Sequence, residues 1–140
     1  ETIRTLMEAG QVVIGCGGGG IPVYRTEGNH LKGAGAVIDK DFASELLAES
    51  LDADALIILT AVEKVAINFG KHDQQWLSDL TPELARQYIA EGQFAPGSML
   101  PKVQAAVKFA ASKPGRTALI TLLEKAKDGI AGKTGTAVSM

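Results

Sequence analysis

The chain has 140 residues, of which 46% are hydrophobic and 21% are charged, and its formal net charge at pH 7 is −2. This composition is that of one ordinary globular domain, and the charge balance predicts no basic face for nucleic acid. No apolar run approaches the roughly 18 residues of a membrane-spanning helix, and no signal segment is recognised. A single cysteine, Cys16, excludes an internal disulfide and is typical of the reducing cytoplasm.

The chain opens on a helical pattern that leads into a short apolar run. Ile3, Leu6 and Met7 have the spacing of one helix face. Because the first residue is Glu1 and the chain begins inside this pattern, we expect it to be a piece of a longer protein. The apolar run at residues 11–14 predicts a strand.

A glycine run follows this strand, and Gly15, Gly17 and Gly20 satisfy the spacing G-x-G-x-x-G of a dinucleotide-binding turn. That turn opens a helix, whereas residues 21–24 are β-branched and aromatic around a proline and favour extended chain. The dinucleotide interpretation is therefore rejected. Four consecutive glycines are costly to order, so we expect either a flexible linker or tight turn, or a backbone surface close to a ligand. The apolar segments on both sides favour the ligand.

Strands and helices alternate along the rest of the chain, which predicts an α/β fold with a parallel sheet covered on both faces and ligands at the carboxyl ends of its strands. The run ALIILT predicts a strand buried on both faces. Thr81-Pro82-Glu83 predicts a helix start through its cap residue and first-turn proline. The predicted elements are short strands at 21–25 and 36–38, a helix at 41–51, strands at 55–60 and 65–69, helices from 81 to about 91 and from 101, a strand at 117–123 and a short last strand.

Two lysines occupy the first turns of predicted helices, where a positive charge is normally unfavourable. Lys40 lies between Asp39 and Asp41, and Lys102 begins a later helix. A cation there meets the positive end of the helix dipole at a cost of roughly 0.3–1 kcal/mol, whereas a bound phosphate reverses the sign. The two lysines and the glycine run together favour a polyphosphate clamp of the kind that phosphoryl transfer requires. Taken singly, each lysine is better explained as a solvated surface side chain.

Asp41 has two interpretations that the residues alone leave open. A carboxylate between two lysines would hold both ammonium groups and keep them protonated. The same side chain would also serve as the N-cap of the helix at 41–51.

Two further features are expected to carry no chemistry. Gly132-Lys133-Thr134 is similar to part of a phosphate-binding P-loop, but its required first glycine would fall at Lys127, and too few residues follow for a helix. We interpret this segment as a surface turn before the last strand. His30 and His72 lie in polar loops without a nearby acid or second ligand, so we expect them on the surface.

Four segments together resemble carbamate kinase, in the amino acid kinase superfamily, in their order and spacing. They are VVIGCGGGGIPV, AVIDKDFAS, DALIILTAVEKVAINFGK and FAPGSMLPKVQAAVKF. The resemblance covers nearly the whole chain and implies a three-layer αβα sandwich with a mainly parallel central sheet. The reaction that it implies is phosphoryl transfer from carbamoyl phosphate to ADP, giving ATP and carbamate with Mg²⁺. It also implies a homodimeric parent protein in amino acid or nitrogen catabolism.

The resemblance also implies roles for individual residues. Lys40 and Lys102 would contact the transferring phosphoryl group and the nucleotide phosphates, and Asp41 would organise both lysines. Two further sets are implied, a nucleotide-lining set of Thr60, Ala61, Val62, Ala95, Pro96, Gly97, Ser98 and Met99, and a substrate-facing backbone of Gly17, Gly18, Gly19 and Gly20.

The resemblance is to the C-terminal, nucleotide-binding half of the family only. The family's N-terminal half, with its own glycine loops and a further phosphate-contacting lysine, has no counterpart in residues 1–140, and His72 stands where relatives are expected to have proline. We therefore expect the isolated chain to bind nucleotide without turnover and to meet carbamoyl phosphate only with the missing half. The alternative is a noncatalytic nucleotide-binding or regulatory module. Retention of Lys40, Asp41 and Lys102 together favours the enzyme.

Overall fold

The computed structural model describes all 140 residues, which form a mixture of helices and strands. Two short 3₁₀ helices lie at Glu27–Asn29 and Leu123–Lys125. The other elements, in chain order, are α1 (Thr2–Glu8), β1 (Val23–Arg25), β2 (Leu31–Gly33), α2 (Lys40–Ser50), β3 (Ala55–Thr60), β4 (Val65–Ile67), β5 (Gln75–Leu77), β6 (Asp79–Leu80), α3 (Pro82–Ala90), α4 (Met99–Ser112), β7 (Thr117–Leu122), α5 (Ala126–Ile130) and β8 (Thr136–Val138).

The central sheet has four strands in the order β3-β7-β8-β6. Strand β3 is parallel to β7, β6 is parallel to β8, and β7 and β8 are antiparallel. The predicted α/β fold with a mainly parallel central sheet is therefore confirmed. Two antiparallel pairs lie outside this sheet, β1 with β2 and β4 with β5. Strands β2, β5 and β6 were not predicted, because each is only two or three residues long and too short to show a pattern.

Helix α4 supplies most of the core on one face of the sheet. Its sequence has small and apolar residues at nearly every turn, and six of them are buried: Val103, Ala105, Ala106, Val107, Phe109 and Ala110. Leu56 and Ile58 of β3, and Ala118 and Ile120 of β7, belong to the same core. The alanines bring α2 and α3 close to α4, because a methyl side chain keeps two helix axes near each other. The helix begins two residues earlier than predicted.

The prediction that β3 is buried on both faces is wrong. Burial alternates along the strand, and Ile57 and Leu59 are 41% and 40% exposed. Strand β3 is an edge of the four-stranded sheet, and the helix that covers this second face, α5, packs on β7 instead. There Gly129 of α5 lies so close that an added Cβ would be 3.0 Å from Thr121 Cγ2.

Two predicted strands are absent. Residues 11–14 and 36–38 form no strand, and Val12, Ile14 and Val37 are 97%, 98% and 89% exposed. An apolar run becomes a strand only where another strand accepts its backbone hydrogen bonds. No strand of this chain pairs with either segment. No helix of the structure is long and apolar enough to cross a lipid bilayer.

A buried carboxylate joins α2 to α4. Glu45 is fully buried, its Oε2 accepts a hydrogen bond of 2.7 Å from Lys108 Nζ, and its Oε1 has no partner. Burial raises the pKa of Glu45, and the neighbouring carboxyl group of Glu49 raises it further, against the opposing effect of Lys108. The pKa of Glu45 is higher in the folded state than in the unfolded state, so the folded state binds a proton more readily. Glu45 therefore lowers the free energy of unfolding as pH rises from its unfolded pKa to its folded pKa.

Glu45→Gln is therefore expected to leave the free energy of unfolding at pH 7 unchanged or higher, because glutamine keeps the oxygen for Lys108 and removes the desolvated charge. The difference from the unmodified chain should shrink as pH falls toward about 4.3, where the unfolded glutamate protonates. Urea unfolding between pH 4 and pH 7 measures this.

Asp52→Asn is the control, because the pKa of Asp52 is shifted in the opposite direction to that of Glu45. Hydrogen bonds from Lys113 and then Arg116 lower the pKa of Asp52, so its stabilising contribution is present at neutral pH and lost as pH falls through the lowered value. A Glu45→Gln variant that is clearly less stable than the unmodified chain at pH 7 would contradict the account of Glu45.

Candidate functional site

A pocket of about 240 Å³ opens at the carboxyl end of β3, between the β3–β4 connection and the start of α4. This is where an α/β sheet normally binds a ligand. Its walls are mostly apolar, with a few polar groups at the rim, as in small-molecule sites generally. The lining residues are Thr60, Ala61, Val62, Lys64, Ala66, Phe69, Gln93, Phe94, Ala95, Ser98 and Met99.

Six of the eight residues expected to line a nucleotide site meet in this pocket. They are Thr60, Ala61, Val62, Ala95, Ser98 and Met99. Pro96 and Gly97 are exposed in the same loop but are not part of the wall. Gly97 has a φ of +72°, a conformation that glycine adopts without strain, and it turns the chain toward α4.

Five lining residues were not anticipated: Lys64, Ala66, Phe69, Gln93 and Phe94. Phe69 is 63% exposed, and Phe94 is buried at 4%. The sequence carried one usable signal, an aromatic residue, Phe94, directly before the predicted site segment 95–99. What it did not reveal is that β4 and the loop before α4 face each other, because that contact depends on tertiary packing.

The N-terminus of α4 at the pocket rim is open to an anion. Ser98 is the N-cap residue, but its side chain makes no capping hydrogen bond, and the first turn contains no acidic residue. The first backbone N–H groups of a helix have no partner within the helix. In α4 the N–H of Leu100 donates to the carbonyl oxygen of Ala95 at 3.1 Å and Pro101 has no N–H, so the N–H of Met99 is the open donor. Ser98 and Met99 also line the pocket, so this donor and the positive end of the helix dipole lie beside it.

Asp41 and Lys102 form the ion pair of the site. Lys102 Nζ lies 3.2 Å and 3.0 Å from the two carboxylate oxygens of Asp41, and the two side chains are 24% and 19% exposed. Packing of α2 against α4 brings them together across 61 residues of sequence. The partly buried carboxylate therefore fixes where the ammonium group of Lys102 lies at the start of α4.

Lys40 does not join this pair. Its Nζ donates a 2.7 Å hydrogen bond to the carbonyl oxygen of Ile38, and the residue is exposed. The expected contact of one carboxylate with both lysines is thus present for Lys102 only. A lysine whose ammonium group contacts only a backbone carbonyl is free to swing toward a ligand, since its stem is flexible.

The alternative interpretation of Asp41 as the helix N-cap is wrong. Asp39 is the N-cap of α2, and its Oδ1 accepts hydrogen bonds of 2.8 Å and 3.2 Å from the backbone N–H groups of Asp41 and Phe42. Two aspartates stand at this helix start, and the cap must precede the helical residues. Because the helix begins at Lys40, Asp39 takes that place and leaves the carboxylate of Asp41 for Lys102.

The glycine run lies against the start of α2. Gly15 packs on Leu47, and an added Cβ at Gly19 would lie 2.8 Å from the side chain of Ile38. No helix follows the run, which agrees with rejection of the dinucleotide turn. Gly17, Gly18 and Gly20 are exposed, and an added Cβ at any of them would meet nothing within 4 Å. The run thus presents bare backbone beside the segment that carries Lys40.

No group of three or more His, Cys, Asp or Glu side chains is placed to hold a metal ion. Both carboxylate oxygens of Asp41 are already bound to Lys102. The two histidines are exposed, as expected.

Comparison with known proteins agrees with this geometry. A sequence model described as the amino acid kinase family matches residues 1–121. The chain is 67% identical over 138 residues to carbamate kinase-like protein YqeA of Escherichia coli and 54% identical to carbamate kinase of Clostridium perfringens, each time over 99% of this chain and 44% of the relative. The chain thus spans less than half the length of these relatives.

Solved structures give the same family. Carbamate kinase of Giardia lamblia bound to AMP-PNP superposes with a TM-score of 0.92 at 41% identity, over 99% of this chain and 48% of that chain. A second structure of the Giardia enzyme superposes with a TM-score of 0.88 at 40% identity. With a family model that matches most of its length, and a fold and sequence similar to those of carbamate kinases, this chain belongs to the amino acid kinase family.

Proposed function

We propose that this chain is the nucleotide-binding part of a carbamate kinase-like phosphotransferase. The observation that carries the proposal is the apolar pocket that opens directly onto the uncapped N-terminus of α4, beside Lys102. A flat apolar base and a string of phosphates need these two environments next to each other. The Giardia carbamate kinase structure bound to AMP-PNP supports the choice of an adenine nucleotide.

The base would enter the apolar part of the pocket. Phe69, Ala66 and Met99 offer apolar surface, and Phe94 closes the buried side. An aromatic ring on the wall stacks on any base and contributes about 1–3 kcal/mol per stacked base. The phosphates would then extend toward the open N–H of Met99 at the start of α4.

The charges at the rim suit phosphoryl transfer. In the proposed reaction an oxygen of the ADP β-phosphate forms a bond to the phosphorus of carbamoyl phosphate, and the bond from that phosphorus to the carbamate oxygen breaks, releasing carbamate. Charge accumulates on the transferring group, so catalysis depends on fixed positive groups around it. Lys102, held by Asp41, and the open backbone N–H of α4 would supply them, and Lys40 would approach from α2. Mg²⁺ would enter bound to the nucleotide.

The donor side, where carbamoyl phosphate would bind, is proposed to involve residues beyond those that form the pocket. Gly17, Gly18 and Gly20 present exposed backbone, and Gly19 is half-buried. We propose that carbamoyl phosphate lies between the backbone of this glycine run and the part of the parent protein outside residues 1–140. The parent protein is proposed to be a cytoplasmic homodimer active in amino acid or nitrogen catabolism.

A noncatalytic nucleotide-binding or regulatory module is the second candidate. It is favoured by the lining of the pocket, which includes neither of the lysines Lys40 and Lys102 nor the exposed glycines. Binding without transfer would satisfy this observation. The two candidates differ in the role of the charged groups near the pocket: in the enzyme they support phosphoryl transfer, and in the binding module they only bind phosphate.

The chain alone is expected to bind Mg-ADP or Mg-AMP-PNP weakly and saturably and to show no phosphoryl transfer from carbamoyl phosphate. Trp76, the single tryptophan, is a built-in probe, because its ring lies 6.2 Å from that of Phe69 on the pocket wall. Fluorescence titration and a coupled ATP assay measure binding and turnover.

Phe69→Ala should weaken this binding by about 5- to 150-fold, the loss of one stacked base. Tyr24→Ala is the matched control, since Tyr24 is a half-exposed aromatic residue of β1 that does not line the pocket. Turnover by the pure chain above the buffer background, or equal effects of the two substitutions, would contradict the proposal.

Asp41→Asn is expected to weaken binding of Mg-ATP but not of adenosine, because only the phosphates meet Lys102, and the variant loses the carboxylate that orients it. Stability should change by no more than about 1 kcal/mol, as for a partly exposed ion pair. Parallel titrations with the two ligands and a thermal melt measure these effects.

Asp39→Asn is the control for charge alone. It removes the same unit charge two residues away and keeps the helix cap, since asparagine caps as well as aspartate. Loss of negative charge near phosphate should by itself strengthen Mg-ATP binding slightly. If Asp41→Asn also strengthened it, Asp41 would not be the residue that orients Lys102.

A further inference from the structure

The segment Thr134–Gly135–Thr136 overlaps the P-loop-like sequence and is hydrogen-bonded to residues 63–65, which adjoin the pocket wall. Thr134 Oγ1 donates a hydrogen bond to a carboxylate oxygen of Glu63. Thr136 Oγ1 accepts a 2.8 Å hydrogen bond from the backbone N–H of Val65 and donates one of 2.6 Å to the carbonyl oxygen of Leu77. Thr136 is fully buried, so both of its hydrogen bonds are shielded from water.

Gly135 allows this segment to lie against the sheet. Its φ is +91°, and an added Cβ would lie 2.7 Å from Leu119 Cδ1 and 3.0 Å from Thr121 Cβ. A side chain at this position would have to displace β7. The two threonines on either side of the glycine are therefore placed by the central sheet itself, and not by a mobile surface turn.

Glu63 receives a second hydrogen bond from the other neighbouring element. Lys125 Nζ, just after β7, lies 2.7 Å from Glu63 Oε2. Hydrogen bonds from Lys125 and then Thr134 lower the pKa of Glu63, so the carboxylate is charged at neutral pH. A charged acceptor makes stronger hydrogen bonds than a neutral one.

The residues held in this way alternate with the residues that line the pocket. Glu63 and Val65 contact the threonines, while Val62, Lys64 and Ala66 lie on the pocket. Val65 and Ala66 lie in β4, where successive residues point to opposite sides, and Glu63 lies between the pocket residues Val62 and Lys64 in the bend that precedes β4. A displacement of the segment at Glu63 or Val65 would therefore displace the pocket wall by a similar distance.

We propose that Thr134 and Thr136 are positioning residues of the nucleotide pocket, acting through Glu63 and the backbone of Val65. This role rests on the proposed function, because the pocket is taken to hold a nucleotide. It extends the functional part of the chain beyond residues 1–121, which the family model matches. The surface-turn interpretation of the segment omits this contribution.

Thr134→Val tests the proposal, because valine keeps the shape of threonine and removes the hydroxyl donor. Two measurements are made on the 140-residue chain: backbone amide exchange of residues 61–66 without ligand, and titration with Mg-AMP-PNP by Trp76 fluorescence. The expected result is faster exchange in 61–66 and a dissociation constant raised about tenfold, the usual effect of losing one hydrogen bond to a charged group. Thr134→Ser, which retains the hydroxyl, should restore both.

Glu63→Gln should produce the same effects, and the double variant should be little worse than either single variant, because both remove the same contact. Asp52→Asn is the matched control. Asp52 is also a carboxylate with two cationic partners, but it lies outside the pocket, so its loss should lower the melting temperature and leave nucleotide affinity unchanged.

Two results would overturn the proposal, and they are distinguishable. If the unmodified chain binds Mg-AMP-PNP and Thr134→Val binds it equally well with unchanged exchange in 61–66, the positioning role is wrong and the nucleotide site stands. If the unmodified chain does not bind Mg-AMP-PNP at all, the nucleotide site itself is wrong, and the role of the threonines in it falls too.

Discussion

Burial of α4 between the sheet and α2 is the constraint on which the candidate site depends. The helix is packed along its whole length by small and apolar residues, with Val103, Ala105, Ala106 and Phe109 fully buried. Such a helix cannot shift without opening voids in the core. Its N-terminus is therefore fixed at the end of β3, where the pocket opens, and its second neighbour α2 brings Asp41 to Lys102. Pocket, helix dipole and ion pair all follow from this one packing arrangement.

Much of this arrangement follows from local sequence signals. The Thr81 cap and Pro82 start α3 as predicted, and Thr81 Oγ1 accepts from the N–H of Leu84 at 3.3 Å. The apolar stripe of α4 and the strand runs ALIILT and TALITLL predict elements that the structure confirms within two residues. These signals are reliable because each depends on residues close together in the chain.

The incorrect predictions share a different cause: each depends on contacts between residues that are distant in sequence. The run at 11–14 is apolar enough for a strand but has no strand to pair with, and the outer face of β3 is exposed because α5 packs elsewhere. Either Asp39 or Asp41 could cap α2, and the sequence alone does not show at which residue the helix begins. Phe69 and Phe94 line one pocket because β4 and the loop before α4 face each other in the fold. Thr134 was interpreted as part of a surface turn because its hydrogen-bond partner, Glu63, is also distant in sequence.

The central claim is that nucleotide phosphates bind at the N-terminus of α4 with Lys102 beside them. A crystal structure of the 140-residue chain with Mg-AMP-PNP tests this most directly. The account predicts the base against Phe69 and Met99, and a phosphate oxygen within hydrogen-bonding distance, about 3 Å, of Lys102 Nζ and of a backbone N–H at the start of α4. A nucleotide bound elsewhere on the chain, or one whose phosphates point away from α4 while Lys102 stays paired with Asp41 alone, would contradict it.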